Sequence, residues 1–409
     1  METGRDIFVT LSEMHPRYRE ASLYDRFFKH TEILTLLKKW KHEPEVKISE
    51  IGHSCLGKSV SLVKTGTGPV KVLFWSQMHG DEPTGTMALF DLLNFLFAGS
   101  DAFGDIRESI LENCTLYLVP MVNPDGAGAF TRRNYQQIDV NRDFHAQQSP
   151  EGRLLRSVRD MIEPHFGFNL HDQSIRWSAG NSGNPATVSL LAPAADEPAS
   201  LTPGRKEAMQ VCSVMNATLQ QLLPGHIGRF DDTYEPRAFG DNFQSLGTKT
   251  ILVESGGLVN DPERQVSRKL IFTAFISALH AIATRSYTAE PLENYFTIVP
   301  NKPLHVSLLL KNCRIDAENA WYRADLGLVA ELDFAEPGKF PGLLYRVEDI
   351  GDLSGYAGYE TVDATGLTFI PIRPPKLQEP ADLILQEGNE TILSIENGRI
   401  TVKTGRLTN

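Results

Sequence analysis

The chain is poor in cysteine, in basic charge and in long apolar runs, and each shortage excludes a class of protein. Its four cysteines, Cys55, Cys114, Cys212 and Cys313, are spread widely and irregularly over 409 residues. That spacing suits neither a disulfide framework nor a Cys-x-x-Cys zinc site, so they read as reduced, partly buried thiols. Forty Lys and Arg stand against 51 Asp and Glu, a formal net charge of -11. Nucleic acid needs clustered cations to displace its counterions, and it is excluded as a partner. The apolar run Leu92–Ala98 is interrupted by Asn94 and is far too short to cross a bilayer, so no membrane partner is expected. Met1-Glu-Thr-Gly-Arg-Asp6 shows no basic stretch followed by an apolar core, so no signal peptide is expected and a cytoplasmic location is the default. What is present, 41% hydrophobic and 22% charged residues, is ordinary globular usage and enough for one large domain and a smaller one.

Taken in order, the first periodic segment runs from Tyr24 to Trp40, where Phe27, Phe28, Ile33, Leu36, Leu37 and Trp40 recur at helical spacing. Ser59–Thr65 and Val70–Gln77 read as strands joined by a Gly/Pro turn, and Thr86–Phe97 as a helix. Thr115–Val122 is a strand ending in the turn Asn123-Pro-Asp-Gly126, followed by a long polar loop, Thr131–Arg142. Pro150 suits the first turn of a helix reaching Ile162. The short strand Phe166–Leu170 releases His171, and Thr187–Ala192 is a further strand. Thr202 caps a helix reaching Leu223, and Gly225–Gly247 is irregular, with Asp231, Asp232, Glu235 and Asp241 around Tyr234, as in a lid or specificity loop. Lys249–Glu254 is a β-branched strand, and Asp261–Ala283 a long helix. Beyond Pro291 the helical period vanishes into short strands and turns. The expected division is therefore 1–290, an α/β domain with a mixed, mainly parallel central sheet and helices on both faces, and 291–409, a small all-β domain.

The chemistry centres on Trp75-Ser-Gln-Met-His79-Gly-Asp-Glu82, where a buried strand hands over to a helix. Open α/β sheets keep their reactive groups at such strand ends. A tight turn at Gly80 brings Glu82 back beside His79, offering nitrogen and oxygen donors that zinc accepts. A His-x-x-Glu tetrapeptide alone occurs often by chance. His171, also at a strand end, completes two histidines and one carboxylate, the ligand count of an open catalytic zinc site.

Together the pieces resemble the zinc carboxypeptidases of the carboxypeptidase A type, peptidase family M14. His79-Gly-Asp-Glu82, Asn123-Pro-Asp-Gly126, Thr131-Arg132-x-Asn134, Asp139-Val-Asn141-Arg142, His171 and Thr250-Ile-Leu-Val-Glu254 occur in the family's order over roughly residues 50 to 285. The resemblance implies that His79, Glu82 and His171 hold one zinc per chain. Glu254 would be the general base for the water that zinc activates, and Arg132 would face the developing oxyanion. It implies that Asn141 and Arg142 grip the substrate's terminal carboxylate, that Asp139 accepts the free ring N–H of His79, and that Tyr234 is the nearest match to the family's mobile tyrosine. The plainer reading of Arg142 is a loop arginine tied to a neighbouring acid, and of Tyr234 a packed loop aromatic. Asp143 stands where the family commonly has Asn.

The function implied is a zinc metallocarboxypeptidase that hydrolyses the C-terminal amino acid from peptides. Two alternatives remain open. One is a zinc-dependent deacylase of N-acyl amino acids or related small amides, whose carboxylate Arg142 would hold equally well. The other is a non-catalytic binder of peptide C-termini, against which the intact Glu254 argues.

Overall fold

In the strand Val70–Trp75 every residue from Val72 onward is fully buried, with Val72 and Phe74 on one face of a sheet and Leu73 and Trp75 on the other. A strand buried on both faces loses the polar alternation of a half-wet strand and reads as a continuous apolar run. The computed structural model describes residues 6–317, 320–334 and 341–404. Met1–Arg5, on which the reading of the N-terminus rests, lie outside them. The described residues form two compact units, one made of residues up to Gln173 with Ala186–Asn301, the other of Ser174–Pro185 with Lys302 onward.

The strands of the first unit are β1 (Lys47–His53), β2 (Ser59–Thr65), β3 (Val70–Trp75), β4 (Cys114–Val119), β5 (Phe166–Asp172), β7 (Val188–Leu191), β8 (Ile227–Arg229) and β9 (Lys249–Ser255), β6 being the two-residue strand Ser178–Ala179 of the other unit. They form one eight-stranded sheet in the order β1-β2-β4-β3-β5-β9-β7-β8. The pairs β3–β4, β3–β5, β5–β9 and β7–β8 are parallel, and β1–β2, β2–β4 and β7–β9 antiparallel, which is the mixed, mainly parallel sheet expected. Its helices are α1 (Ile7–Met14), α2 (His30–Trp40), α3 (Thr84–Leu96), α4 (Gly104–Asn113), α5 (Pro124–Ala129), α6 (Pro150–Ile162), α7 (Pro203–Leu222), α8 (Phe239–Ser245) and α9 (Gln265–Thr284), with a last turn at Glu293–Phe296.

Two apolar layers sandwich the sheet. Val72, Phe74, Leu116 and Phe168 pack with α3, α4, α7 and α9. Leu73, Trp75 and Val119 pack with α6 through Leu155, Val158 and Ile162, and with α8 through Phe239 and Phe243. Helix α9 is long and apolar enough by length and composition to cross a membrane, but 83% of its apolar window is buried inside this unit. Thr202 caps α7 by accepting from Arg205 N, as its sequence position predicts.

Several boundaries differ from the sequence reading. The first long helix begins at His30 rather than Tyr24, and the segment 225–247 contains β8 and α8. The first unit runs past residue 290: Tyr295 is 1% exposed in its core, and its hydroxyl accepts from Ala192 N at 3.1 Å. The stretch Ser174–Pro185 groups instead with the downstream unit, where Arg176 pairs with Glu348 and His305 N donates to Arg176 O at 3.0 Å.

The second unit is all-β. One sheet takes Gly342–Gly351, Ala320–Asp333, His305–Ala317 and Ala357–Asp363 in that order, and the other Thr368–Pro371, Leu383–Glu387, Glu390–Glu396 and Arg399–Lys403. Leu308, Leu310, Leu326, Leu328, Val347, Leu385 and Leu393 fill its core.

Candidate metal centre and active site

The turn after β3 is built to leave no freedom at His79 and Glu82. Gln77 takes a left-handed φ of 47°, and its side-chain amide donates to Gly80 O at 3.1 Å. Gly80 N donates to Thr131 O at 2.9 Å. A Cβ on Gly80 would lie 1.9 Å from the carbonyl carbon of Gly126 and 2.1 Å from Ala127 N, so only glycine lets the turn press on the start of α5. That helix start is held by Asn123, whose Oδ1 caps Gly126 N at 2.8 Å while its Nδ2 donates to Met78 O at 3.3 Å. The Asn-Pro-Asp-Gly turn is thus the buttress of the His-x-x-Glu turn.

The three expected donors converge. Glu82 Oε1 is 2.8 Å from His79 Nδ1, Glu82 Oε2 is 2.6 Å from His171 Nδ1, and one ligand atom from each residue lies within 4.8 Å of the others. All three residues are buried. On the far side of His79, Nε2 is 3.1 Å from Asp139 Oδ1, so an N–H donated there leaves the Nδ1 lone pair for a metal. Two imidazole nitrogens and a carboxylate, without cysteine, are a donor set that zinc accepts. The residues present fit that ion.

Burial and neighbouring charge act unequally on the two histidines. Burial opposes charge on His79, but the Glu82 carboxylate and the Asp139 hydrogen bond prevail and lift its pKa to about 9. His171 moves down, because burial outweighs the pull of Glu82 and the charge on His79 repels a second proton. Glu82 stays ionised despite burial, held well below the usual carboxylate range by the two imidazoles. Asp139 is held low against its own burial by His79 and Arg132.

Arg132 and Glu254 flank the set. Asp139 Oδ2 takes Arg132 Nε and Nη2, each at 3.0 Å, and this places Nη1 3.2 Å from His79 Nδ1 and 3.5 Å from Glu82 Oε1. One carboxylate therefore orients both a metal donor and a cation. Glu254 is the register partner of His171 across the parallel β5–β9 pair. Burial, and then the nearby charges of Glu82 and Asp172, push its pKa well above the ordinary carboxylate value, with Arg132 and Arg264 opposing.

The polar loop carries the remaining candidates. Asn141 Oδ1 accepts from Phe239 N at 2.9 Å, and its Nδ2 lies 3.5 Å from His171 Nε2. Arg142 makes the plainer contact allowed for it: its Nε is 3.0 Å from Glu235 Oε2, and its Nη1 donates to Asn141 O at 2.8 Å. Tyr234 is half-buried on the loop between β8 and α8, one residue before that acid. Asp143 serves the fold, accepting from Gln148 N, Ser149 N and Ser149 Oγ at the start of α6. Not singled out from sequence were Asp172, whose Oδ2 accepts from Thr84 Oγ1 at 2.8 Å, and Arg264, 3.6 Å from that oxygen. The position of Asp172 directly after a strand-end histidine was the signal available.

Comparison with known proteins points to one family. Residues 33–164 match the family described as zinc carboxypeptidase, Peptidase_M14. The chain is 29% identical over 110 residues to Carboxypeptidase SOL1 of Arabidopsis thaliana and 26% identical over 125 residues to Carboxypeptidase 2 of Trichophyton tonsurans. These stretches cover 25% and 31% of this chain and 22% of each relative, so the chain matches about a fifth of the length of either. Among solved structures it is similar in fold to a metallo-carboxypeptidase from Burkholderia cenocepacia, with a TM-score of 0.53, 17% identity, and coverage of 64% of this chain and 71% of that one. Carboxypeptidase A from Helicoverpa armigera superposes with a TM-score of 0.51, 14% identity, and coverage of 69% and 80%.

Proposed function

The chain belongs to the zinc carboxypeptidase family, peptidase family M14, and from that premise we propose that it is a zinc metallocarboxypeptidase, releasing the C-terminal amino acid of a peptide by hydrolysis. The observation that carries the proposal is the Glu82 carboxylate gripped by two imidazole Nδ1 atoms, at 2.8 and 2.6 Å, with Glu254 and Arg132 beside them. His79, Glu82 and His171 would hold one zinc per chain. When bound, that ion would polarise the scissile carbonyl, bring the pKa of water towards ~7 and, as a dication, draw the raised pKa of Glu254 back down.

Glu254 takes the proton from the attacking water at its carboxylate oxygen and delivers it to the leaving nitrogen. Its burial at a strand end keeps it from spending that basicity on bulk solvent. Arg132, fixed by Asp139, presents Nη1 where negative charge grows on the carbonyl oxygen; an aligned donor of this kind is worth ~2.7–4 kcal/mol. Asp139 keeps the His79 ring in one orientation through Nε2. Arg142 and Asn141 are assigned to the substrate's terminal carboxylate, since a guanidinium offers parallel donors to both of its oxygens.

The same clamp would serve a deacylase of N-acyl amino acids, so the two activities are separated by substrate. The test compares hydrolysis of a free-acid peptide, its C-terminal amide and the matching N-acyl amino acid, by wild type and by Arg142→Met. The proposal expects the wild type to prefer the free-acid peptide and the variant to lose roughly one to two orders of magnitude in kcat/KM on it. Equal cleavage of acid and amide by the wild type would remove the clamp, and turnover confined to the N-acyl amino acid would replace the peptidase reading with the deacylase.

A further inference from the structure

The Arg142 guanidinium assigned to the substrate is already partnered by a carboxylate of the chain itself. Glu235 Oε2 lies 3.0 Å from Arg142 Nε, and the Asn141 carbonyl takes one hydrogen of Nη1. Glu235 has a second guanidinium: Arg237 donates through Nε to Oε1 at 2.9 Å and through Nη2 to Oε2 at 3.0 Å. The backbone around the pair is stitched in place, since Glu235 N donates to Asp241 Oδ1 at 3.1 Å and Phe144 N donates to Arg237 O at 3.2 Å. Glu235 Oε1 also accepts from Arg237 N at 3.1 Å, so three hydrogen bonds to Arg237 hold the carboxylate when its contact with Arg142 is given up.

We propose that Glu235 sets the discrimination between free-acid and amidated substrates by competing with the substrate's carboxylate for Arg142, with Arg237 retaining Glu235 when substrate displaces it. The inference rests on the reading of Arg142 as the carboxylate clamp. Of the five N–H groups of a guanidinium, the Nε–H and one Nη1–H are taken, so an incoming carboxylate either displaces Glu235 or binds beside its negative charge. Both cases weaken the binding of a carboxylate terminus and leave an uncharged amide terminus unaffected. The hydrogen bonds from Arg237 hold the Glu235 carboxyl below the usual carboxylate range, so it competes as an anion at neutral pH. The Arg142 and Glu235 side chains are 35% and 26% exposed, which makes the contact a partly solvated ion pair and the expected effect about two- to five-fold.

The two partners of the exchange give opposite signs. Steady-state kinetics of wild type, Glu235→Gln and Arg237→Ala would give KM for the best free-acid peptide, and the inhibition constant of its C-terminal amide used as a competitor. Glu235→Gln is expected to lower KM for the free acid about two- to five-fold, with kcat and the amide's inhibition constant unchanged. Arg237→Ala removes the guanidinium that shares Glu235, leaves Arg142 as its one guanidinium partner in this contact, and is expected to raise that KM. If both variants shift KM in the same direction, or neither shifts it, or Glu235→Gln raises it, Glu235 is a fastener of the loop and the proposal is overturned. If the wild type binds free acid and amide alike, the clamp itself is absent and the assignment of Arg142 falls first.

Discussion

His171 and Glu254 are register partners on neighbouring parallel strands, so a candidate metal donor and the candidate base are spaced by one ladder of backbone hydrogen bonds. A side chain set by a central strand moves less than one set by a loop, and proton transfer requires hydrogen-bond reach. The other two donors come from the turn after β3, itself the parallel neighbour of β5. Three adjacent strands, β3, β5 and β9, therefore define the centre.

This arrangement predicts about one zinc per chain in the purified protein. Because Glu82 bridges both histidines, removing either imidazole leaves two donors and a buried carboxylate with half its partners. Metal analysis of His79→Ala and His171→Ala should show the zinc largely lost from both. Retention of wild-type zinc by both variants would show that the donors lie elsewhere.

Glu254→Gln keeps the shape of the side chain and removes its basicity. Turnover should fall by at least the ~10²–10⁴ characteristic of general base loss, while zinc content stays at the wild-type level. A variant with near-normal kcat would take Glu254 out of the mechanism, whatever its position beside His171.

Gly80→Ala tests the buttress. A methyl group 1.9 Å from a backbone carbon has no rotamer to escape through, so either the turn or the start of α5 must shift. Zinc affinity is expected to drop ~10-fold or more, the low end of the effect of disturbing the partners that orient metal ligands. Unchanged affinity would mean that the Asn123–Gly126 turn moves freely and does not position His79.

How much of this is legible in the sequence follows from where each contact lies along the chain. Strands β3, β4, β5 and β9 are visible as apolar runs because they are buried on both faces, and His79, His171 and Glu254 stand out because each ends or follows such a run. The candidate metal set is therefore readable once the strands are placed. Helix α8 was not, since Phe239-Gly-Asp-Asn-Phe-Gln-Ser245 is too short to show a period and holds its place by packing Phe239 and Phe243 against Trp75 and Phe144. The division of the chain was misplaced for a related reason. Arg176 finds Glu348 across 172 residues, and no local pattern in Ser174–Pro185 announces that partner. The Arg142–Glu235 contact was foreseen only as a possibility open to any loop arginine; which acid it meets depends on two loops brought together by the fold.

Exopeptidase chemistry at the His79–Glu82–His171 centre is read out by mass spectrometry of a defined peptide mixture incubated with the zinc-loaded protein. Each peptide would be present as free acid and as C-terminal amide, with Glu254→Gln as the parallel control. The expected result is a ladder of products shortened from the C-terminus one residue at a time, from the free acids only, and absent in the control. Cleavage at internal bonds, equal processing of the amides, or the same ladder from Glu254→Gln would contradict it.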